Sequence, residues 1–206
     1  MEYTAPEEGV IQFHHQRKQQ QAISNTAYKI LEPARQQAFR KKWIGVYPDG
    51  VAYGNLSCRL QGETGFYITA SQTGSLSNCL AEHYCHIHDY NYQNNQVSYS
   101  GCRPPSSESL THAMFYELDR HISCVLHIHH AQAWKQLKYV LPTSHEDVTY
   151  GTIEMAMEIK RLFHESSLQQ SKILVMAGHE DGIISFAEDM TETFAIMQQA
   201  LTNIGL

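Results

Sequence analysis

The sequence predicts a layered α/β domain, and three observations lead to this prediction. Short, alternating apolar runs such as 124–130 (CVLHIHH) have the period of strands, and longer segments such as 148–164 are typical of helices. Predicted strands are flanked by predicted helices along the chain, which favours helices packed on a sheet. The chain has 206 residues, 42% of them hydrophobic, and carries no long biased segment, so we expect a single domain over 1–206.

The N-terminal part is predicted to be helical. Residues 13–31 form one predicted helix, and Glu32-Pro33 begins a second that runs to about Lys42, because proline is tolerated in the first turn of a helix. Residues 1–34 are treated as an N-terminal helical extension. It either packs on a neighbouring subunit or frays.

From Gly45 to about Arg103 the pattern changes to short strands and turns. Tyr47-Pro48-Asp49-Gly50 has the composition of a tight turn. Strands are predicted at 55–60, 65–69 and 96–101. Residues 89–92 are predicted to be a polar loop.

The C-terminal half alternates between the two kinds of element. The predicted strands are the histidine strand at 124–130, 172–177 and 182–186. The predicted helices are 107–120, 131–137, 148–164 and 190–201.

Charge and composition exclude several classes of protein. The formal net charge is −6, which argues against a nucleic-acid-binding protein because phosphate binding relies on clustered Lys and Arg. The one basic cluster, 35–42, is predicted to be a solvated helix face. No apolar stretch approaches the length of a membrane span, and the first 25 residues are polar, unlike a signal peptide. Five cysteines without paired short spacing indicate free thiols, mostly in the core, and we expect a cytoplasmic protein.

Histidines at the end of the strand 124–130 indicate a metal site. A strand's period of two places His127 and His129 on one face and His130 on the other. Two imidazoles on one face can bind one ion, but a catalytic zinc site requires a third protein ligand. His179, in a glycine-flanked turn, is the candidate for that ligand. The alternative for the pair is two hydrogen-bonded histidines at a strand end.

Other histidines are available as ligands. His83, His86 and His88 have ligand-like spacing, but their polar surroundings favour surface histidines. His14, His15 and His145 remain as further alternatives.

A second signal lies in residues 103–116. The Pro-Pro-Ser-Ser start of the predicted helix supplies hydroxyls and backbone N–H groups that suit an anion or an oxygen-rich substrate. Glu108 falls in the first turn, where a carboxylate also complements the helix dipole. His112 and Tyr116 follow on the same face, either as part of a site or as a packed polar seam.

Five segments in order resemble the class II aldolase/adducin family, over a region from about Arg35 to the C-terminus. They are Gly54-Asn55-Leu56-Ser57-Cys58-Arg59, Ile68-Thr69-Ala70-Ser71, Pro105-Ser106-Ser107-Glu108 with His112 and Tyr116, Leu126-His127-Ile128-His129, and Gly178-His179-Glu180-Asp181-Gly182. The resemblance implies a three-layer α/β/α sandwich around a largely antiparallel mixed sheet. It also implies a homotetramer with active sites at subunit interfaces and a divalent metal, commonly zinc.

The resemblance further implies a role for each matching residue. It makes His127, His129 and His179 the metal ligands and Glu108 the acid/base. It assigns the phosphate or polar end of the substrate to four further residues: Asn55, Ser71, Ser106 and Ser107. The implied activity is that of a carbon–carbon lyase of the aldolase type, acting on a small hydroxy-carbonyl or sugar-phosphate-like compound through a metal-stabilised enediolate. Such a role requires a raised pKa at Glu108, which burial favours and a cation opposes.

Two positions depart from the family pattern. Ala52 stands where sugar-phosphate aldolases often have Thr, and Gln72 stands where they usually have Gly, with glycine delayed to Gly74. These differences weaken the expectation that the substrate is phosphorylated. Three alternatives therefore stay open: a dehydratase, an epimerase, or a non-catalytic assembly module like the adducin head. Tyr150 is either a second proton donor or a packed residue at a helix start.

Overall fold

The structure is a computed structural model that describes residues 9–206. The described residues contain ten strands: β1 His14–Gln19, β2 Gly45–Val46, β3 Ala52–Tyr53, β4 Asn55–Cys58, β5 Phe66–Thr69, β6 Tyr84–Asn91, β7 Gln96–Gly101, β8 Cys124–His129, β9 Ile173–Val175 and β10 Gly182–Ala187. The helices are α1 Asn25–Arg40, α2 Ser109–Leu118, α3 Ala131–Leu137, α4 Ile153–Glu165, α5 Leu168–Ser171 and α6 Met190–Asn203. A 3₁₀ turn spans Ala81–His83.

Eight strands form one sheet in the order β1-β7-β6-β5-β4-β8-β10-β9, and β2 and β3 form a separate ribbon. The β1–β7 pair is parallel and the other neighbours in the large sheet are antiparallel. The sheet is therefore mixed and largely antiparallel.

Helices cover both faces of this sheet. One apolar cluster contains Leu110 and Met114 of α2 with Ile159 of α4, and a second contains Leu31 of α1 with Met197 of α6. The α/β fold with a central sheet between helical layers is confirmed. Within β8, Val125 belongs to the first cluster, whereas Cys124, Leu126 and Ile128 belong to the second. Since side chains alternate along a strand, His127 and His129 lie on the α2 and α4 face.

The predicted helix over 13–31 is wrong in its first part. Residues His14–Gln19 form the edge strand β1, and all six side chains are exposed. Their backbone pairs with β7, so the strand is held by main-chain hydrogen bonds and leaves no apolar period in the sequence. Within the predicted 1–34 extension, residues 1–8 lie outside the described residues.

The predicted helix boundary at Glu32-Pro33 is also wrong. Helix α1 runs unbroken from Asn25 to Arg40, with Pro33 in its interior. Leu31 and Ala34 are buried on either side of the exposed proline. Packing of this apolar face outweighs the lost N–H of one residue.

The segment around 89–92 is a strand over most of its length rather than the predicted polar loop. β6 continues to Asn91, with Cys85 and Ile87 fully buried on one face. The opposite face carries His86 and His88, and a register shift between Ile87 and Asp89 interrupts the alternation. The polar residues reflect a solvated sheet face rather than a loop.

The basic cluster at 35–42 is only partly a solvated face. Arg40, Lys41 and Lys42 are exposed, but Arg35 is fully buried and donates from Nε to Glu32 at 3.0 Å. All five cysteines are free thiols, and four are buried. Within residues 9–206, none of the helices has the length and apolar character to cross a membrane.

Candidate metal centre and active site

Three imidazoles converge beside the end of β8. His127 and His129 come from β8 itself, and His179 comes from the turn between β9 and β10. One ring nitrogen from each lies within 4.8 Å of the others, and all three side chains are buried. Residues 127, 129 and 179 are the one group of this kind found among residues 9–206.

The turn that carries His179 is closed by its own backbone. The His179 N–H donates to Met176 O at 3.2 Å, and the Gly182 N–H donates to His179 O at 3.0 Å. Gly182 is opposite His129 in the β8–β10 register. A Cβ at Gly182 would lie 3.1 Å from His127 Nε2 and 3.3 Å from His179 Cγ. The glycine therefore makes room for the imidazoles to approach one another.

Glu108 joins this cluster at the start of α2. It occupies the N-cap position, but its side chain makes no capping hydrogen bond. Its carboxylate instead contacts His127 Nδ1, lies 3.6 Å from His179 Nδ1 and accepts from Asn55 Nδ2 at 3.2 Å. Asn55 is directly opposite His127 in the β4–β8 register. The carboxylate is thus directed at the histidines rather than at the helix dipole.

The protonation states follow from burial and neighbouring charges. Burial acts to raise the pKa of Glu108. The His127 and His179 imidazoles lower this pKa by a larger amount, so it lies well below its ordinary value. In the chain without a cation, Glu108 is therefore a carboxylate at neutral pH, contrary to the raised pKa that the sequence led us to expect. Burial, followed by the neighbouring His179 and His127, lowers the pKa of His129 well below its usual range. His129 is neutral, as a metal ligand must be.

The residues present fit a divalent cation. Three imidazoles are a donor set that zinc accepts in catalytic sites. His127 Nε2 is buried and has no hydrogen-bond partner within residues 9–206. Its Nδ1 is engaged by Glu108, which leaves Nε2 as the ligand atom. The carboxylate of Glu108 also partly offsets the charge that a cation would bring into a buried site.

The residues assigned to the substrate line the same pocket. Asn55, Ser71, Ser106 and Ser107 all border the cleft that contains the histidines and Glu108. The Ser106 hydroxyl accepts from the Glu108 N–H at 3.3 Å. These residues are brought together from β4, the segment after β5 and the entry to α2.

Gln72 departs from the family pattern in side chain but not in backbone. Its φ is +60°, in the left-handed region that favours glycine. The N–H of its neighbour Ser71 already donates to Pro104 O at 2.9 Å. Gln72, Thr73 and Gly74 line the pocket next to Ser71. A glutamine side chain thus borders the place where a glycine would leave space.

His112 and Tyr116 are not part of the pocket lining. Ser57 Oγ lies 2.7 Å from His112 Nδ1 and 2.6 Å from the Tyr116 hydroxyl, and all three side chains are buried. Burial lowers the pKa of His112 to about 3. Of the two interpretations of this helical stripe, the structure supports the packed polar seam.

The alternative histidines lie elsewhere. His86 and His88 are on β6, where their Nε2 atoms contact Thr64 O at 2.9 Å and Ser100 Oγ at 2.7 Å. His83 Nδ1 accepts from the Leu80 N–H at 2.8 Å. His130 Nδ1 accepts from the Ala133 N–H at 3.3 Å, so it caps α3 from the opposite face of β8.

Sequence reasoning missed several residues near the histidines. Tyr47 Oη lies 2.7 Å from His129 Nδ1, and the Tyr53 ring is tilted against the same imidazole, with the ring centroids 5.3 Å apart. Tyr150, in contrast, was already considered from the sequence as a proton donor or a packed residue; its ring lies 4.6 Å from that of His179, in the pocket of its own chain. Gly9 also borders the pocket. No local motif predicts these contacts, because each joins segments that are far apart in the chain.

Comparisons with known proteins identify the family and the fold. The sequence model of the Class II Aldolase and Adducin N-terminal domain family matches residues 36–202. No curated protein matches the chain. Among solved structures, an L-fuculose 1-phosphate aldolase is 19% identical with a TM-score of 0.66 and covers 90% of each chain.

Two further structures share the fold. L-fuculose-1-phosphate aldolase from Thermus thermophilus is 16% identical with a TM-score of 0.62, over 86% of this chain and 90% of that one. YgbL from Escherichia coli, for which aldolase, epimerase or decarboxylase activity has been suggested, is 16% identical with a TM-score of 0.62 over 84% of each chain. The family match spans most of the chain and includes the three histidines and Glu108. The chain therefore belongs to the Class II Aldolase and Adducin N-terminal domain family.

Proposed function

We propose that this chain is a divalent-metal-dependent aldolase, with zinc as the metal, that makes or breaks a carbon–carbon bond in a small hydroxy-carbonyl compound. Family membership supports a lyase-type enzyme. The single observation that carries the proposal is the convergence of three buried imidazoles with a buried carboxylate that caps nothing. A structural site would have no need for that fourth, ionised group.

Each residue has a separate task in this proposal. His127, His129 and His179 hold the cation, which when bound withdraws electron density from the substrate carbonyl. Glu108 is the buried carboxylate at the site and is assigned the proton transfer; because its pKa is lowered, the substrate proton that it takes up and returns would have to be made more acidic by the bound cation. Asn55 donates to the Glu108 carboxylate and keeps it directed at the site.

The polar end of the substrate is assigned to the hydroxyls of Ser71, Ser106 and Ser107, which border the pocket. Gln72 adds an amide there, which suits a hydroxyl or carboxylate group as well as a phosphate. We therefore propose a small-molecule substrate without specifying phosphorylation. A homotetramer with sites at subunit interfaces and a cytoplasmic location belong to the same proposal.

A dehydratase or epimerase is the second candidate. It uses the same ligands and the same proton acceptor, and it differs only in which bond of the substrate breaks. For the epimerase, its support is the likeness in fold to YgbL, for which epimerase activity is among those suggested. A non-catalytic module is disfavoured because it has no use for the buried histidines and Glu108.

The test is turnover by a Glu108→Gln variant of the metal-loaded protein. Hydroxy-aldehydes and sugar phosphates are screened with wild type for aldol cleavage, dehydration and epimerisation. We expect aldol turnover in wild type and a loss of roughly 10²–10⁴-fold in Glu108→Gln, the usual contribution of a general base. The control is Glu154→Gln, which alters an exposed carboxylate in the first turn of α4.

Metal content must stay unchanged in both variants for the comparison to hold. Equal turnover in wild type and Glu108→Gln would overturn the role of Glu108. Dehydration or epimerisation without aldol cleavage would replace the first candidate by the second.

A further inference from the structure

We propose that Tyr47 and Asp181 are positioning residues for the metal centre, and that they fix the ring of His129 with its Nε2 lone pair directed at the cation. This inference rests on the proposed function, because it assigns partners to one of the proposed ligands. It concerns two residues that lie behind the histidines rather than in the ligand set.

The first step is the contact between Tyr47 and His129. The Tyr47 hydroxyl lies 2.7 Å from His129 Nδ1, and the two rings meet edge to face at 5.8 Å. Because Nδ1 is engaged by the tyrosine, a cation would be held by the other ring nitrogen, Nε2, which is buried. A neutral imidazole that offers its Nε2 lone pair to a cation must carry its proton on Nδ1.

The second step is the direction of the hydrogen bonds. The Tyr47 hydroxyl also lies 3.5 Å from Asp181 Oδ2, as donor to that carboxylate. A phenol has one proton and a carboxylate only accepts, so when His129 Nδ1 carries a proton of its own, the proton of Tyr47 is left for Asp181. The Tyr47 oxygen is then the acceptor for His129 Nδ1–H. These two hydrogen bonds form a relay from His129 through Tyr47 to Asp181.

The third step is how the fold holds this relay. The His129 N–H donates to Trp43 O at 3.0 Å, which ties the segment before Tyr47 to the end of β8. The turn after Tyr47 is closed by Tyr47 N–H to Val51 O at 2.8 Å and Gly50 N–H to Tyr47 O at 2.9 Å. Tyr47 is thus fixed from both sides.

The backbone of Asp181 is also constrained. Its φ is +67°, a conformation that non-glycine residues adopt at a cost and that clusters at functional sites. Its carbonyl accepts from the His130 N–H at 2.9 Å, directly after β8. The backbone of Asp181 is therefore hydrogen-bonded to the residue that directly follows His129.

The relay resembles the carboxylate partners that orient metal-binding histidines, with a phenol inserted between the two. Glu108 plays the equivalent part for His127 through a direct contact with Nδ1. The two ligands of β8 are therefore oriented by different devices. Glu108 borders the substrate pocket, whereas Tyr47 and Asp181 are not among the residues that line it.

The experiment compares wild type with Tyr47→Phe, Asp181→Asn and the control Tyr67→Phe. Tyr67 also donates to a carboxylate, Glu63, at 2.6 Å, but on the opposite sheet face. Asparagine suits the left-handed backbone of residue 181 and removes only the charge. Zinc affinity is measured by competition with a chromophoric chelator, and the ¹⁵N shifts of the His129 ring are recorded in the metal-free proteins.

We expect the zinc affinity to fall roughly 10–100-fold in Tyr47→Phe, by less in Asp181→Asn, and not in Tyr67→Phe. In wild type the ring shifts should indicate a proton on Nδ1, and in Tyr47→Phe a mixture of both tautomers. Equal zinc affinity in wild type and Tyr47→Phe would overturn the inference and leave the proposed metal centre intact.

A wild-type His129 protonated on Nε2 would also overturn the inference, whether or not zinc binds. If wild type binds no zinc, the proposed function fails. The tautomer in wild type and Tyr47→Phe then still decides whether the relay exists.

Discussion

The hydroxyl of Ser57 joins two buried polar groups, and its removal by Ser57→Ala is expected to destabilise the fold strongly. Ser57 Oγ lies 2.7 Å from His112 Nδ1 and 2.6 Å from the Tyr116 hydroxyl. Burial lowers the pKa of His112 to about 3, so the imidazole is neutral and shares one hydrogen bond between its Nδ1 and the Ser57 hydroxyl. A second hydrogen bond joins the Ser57 hydroxyl to that of Tyr116. One hydroxyl therefore satisfies two groups that cannot reach water.

The magnitude follows from the number of groups left without a partner. Each costs about 1–3 kcal/mol when it is buried and unpaired, so Ser57→Ala should lower the free energy of unfolding by about 2–4 kcal/mol after partial relaxation. Tyr116→Phe removes one bond and leaves the bond between Ser57 and His112, and should cost about 1 kcal/mol. The double variant should cost less than the sum, because both changes remove the same bond.

Urea denaturation followed by circular dichroism measures these differences. The m-values must match wild type for the comparison to hold. A loss below about 1 kcal/mol in Ser57→Ala, or full additivity in the double variant, would refute the reasoning, since Ser57 would then not join the two groups.

Two further predictions concern stability and one concerns pH. Glu32→Gln should lower the free energy of unfolding by about 3–5 kcal/mol in urea denaturation, because it leaves the buried charge of Arg35 without its counterion; a loss under about 1 kcal/mol would contradict this. Gly65→Ala should destabilise the fold, because φ is +77° and the new Cβ would lie 1.9 Å from Ile87 O, and an unchanged melting temperature would show that β6 can move aside. The pKa of His112 is about 3 in the folded chain and ordinarily 6.5, so the unfolded chain takes up a proton that the native chain refuses. His112 therefore makes unfolding easier as pH falls from 6.5 toward 3, by up to about 1.4 kcal/mol per pH unit, and His112→Gln should reduce that slope in urea denaturation at pH 5–7.

The elements whose apolar residues recur with the period of a strand or a helix were predictable. β8 alternates between the two apolar clusters, and the same alternation placed His127 and His129 together on one face. Helix α3 was predicted with its observed bounds, Ala131–Leu137. In these segments the residues that are buried are the ones that recur with the period of the strand or helix, so the sequence pattern is sufficient to predict them.

Segments held by their backbone were not predictable. The side chains of β1 are all exposed, so nothing in them distinguishes an edge strand from a polar helix. Pro33 suggested a boundary in α1 because its local preference is strong, whereas the packing of Leu31 and Ala34 is a property of the whole fold. Tertiary contacts decided both cases.

The candidate site divides in the same way. The strand pair of histidines follows from local spacing. His179 was a candidate from its glycine-flanked turn, and only the family resemblance made it a firm choice, since it is distant in the chain. Tyr47 reaches His129 across 82 positions, and no spacing rule connects a turn tyrosine to a strand end. The left-handed φ of Asp181 is likewise invisible before the backbone is known.

If His127, His129 and His179 hold a catalytic cation, as we propose, the zinc content per chain after reconstitution and desalting is the most direct test. Elemental analysis compares wild type with His127→Ala, His179→Ala and the control His145→Ala, whose imidazole is 65% exposed. We expect about one zinc per chain in wild type and in the control, and its loss in the two site variants. A wild type that retains no metal, or site variants that retain as much as wild type, would contradict it.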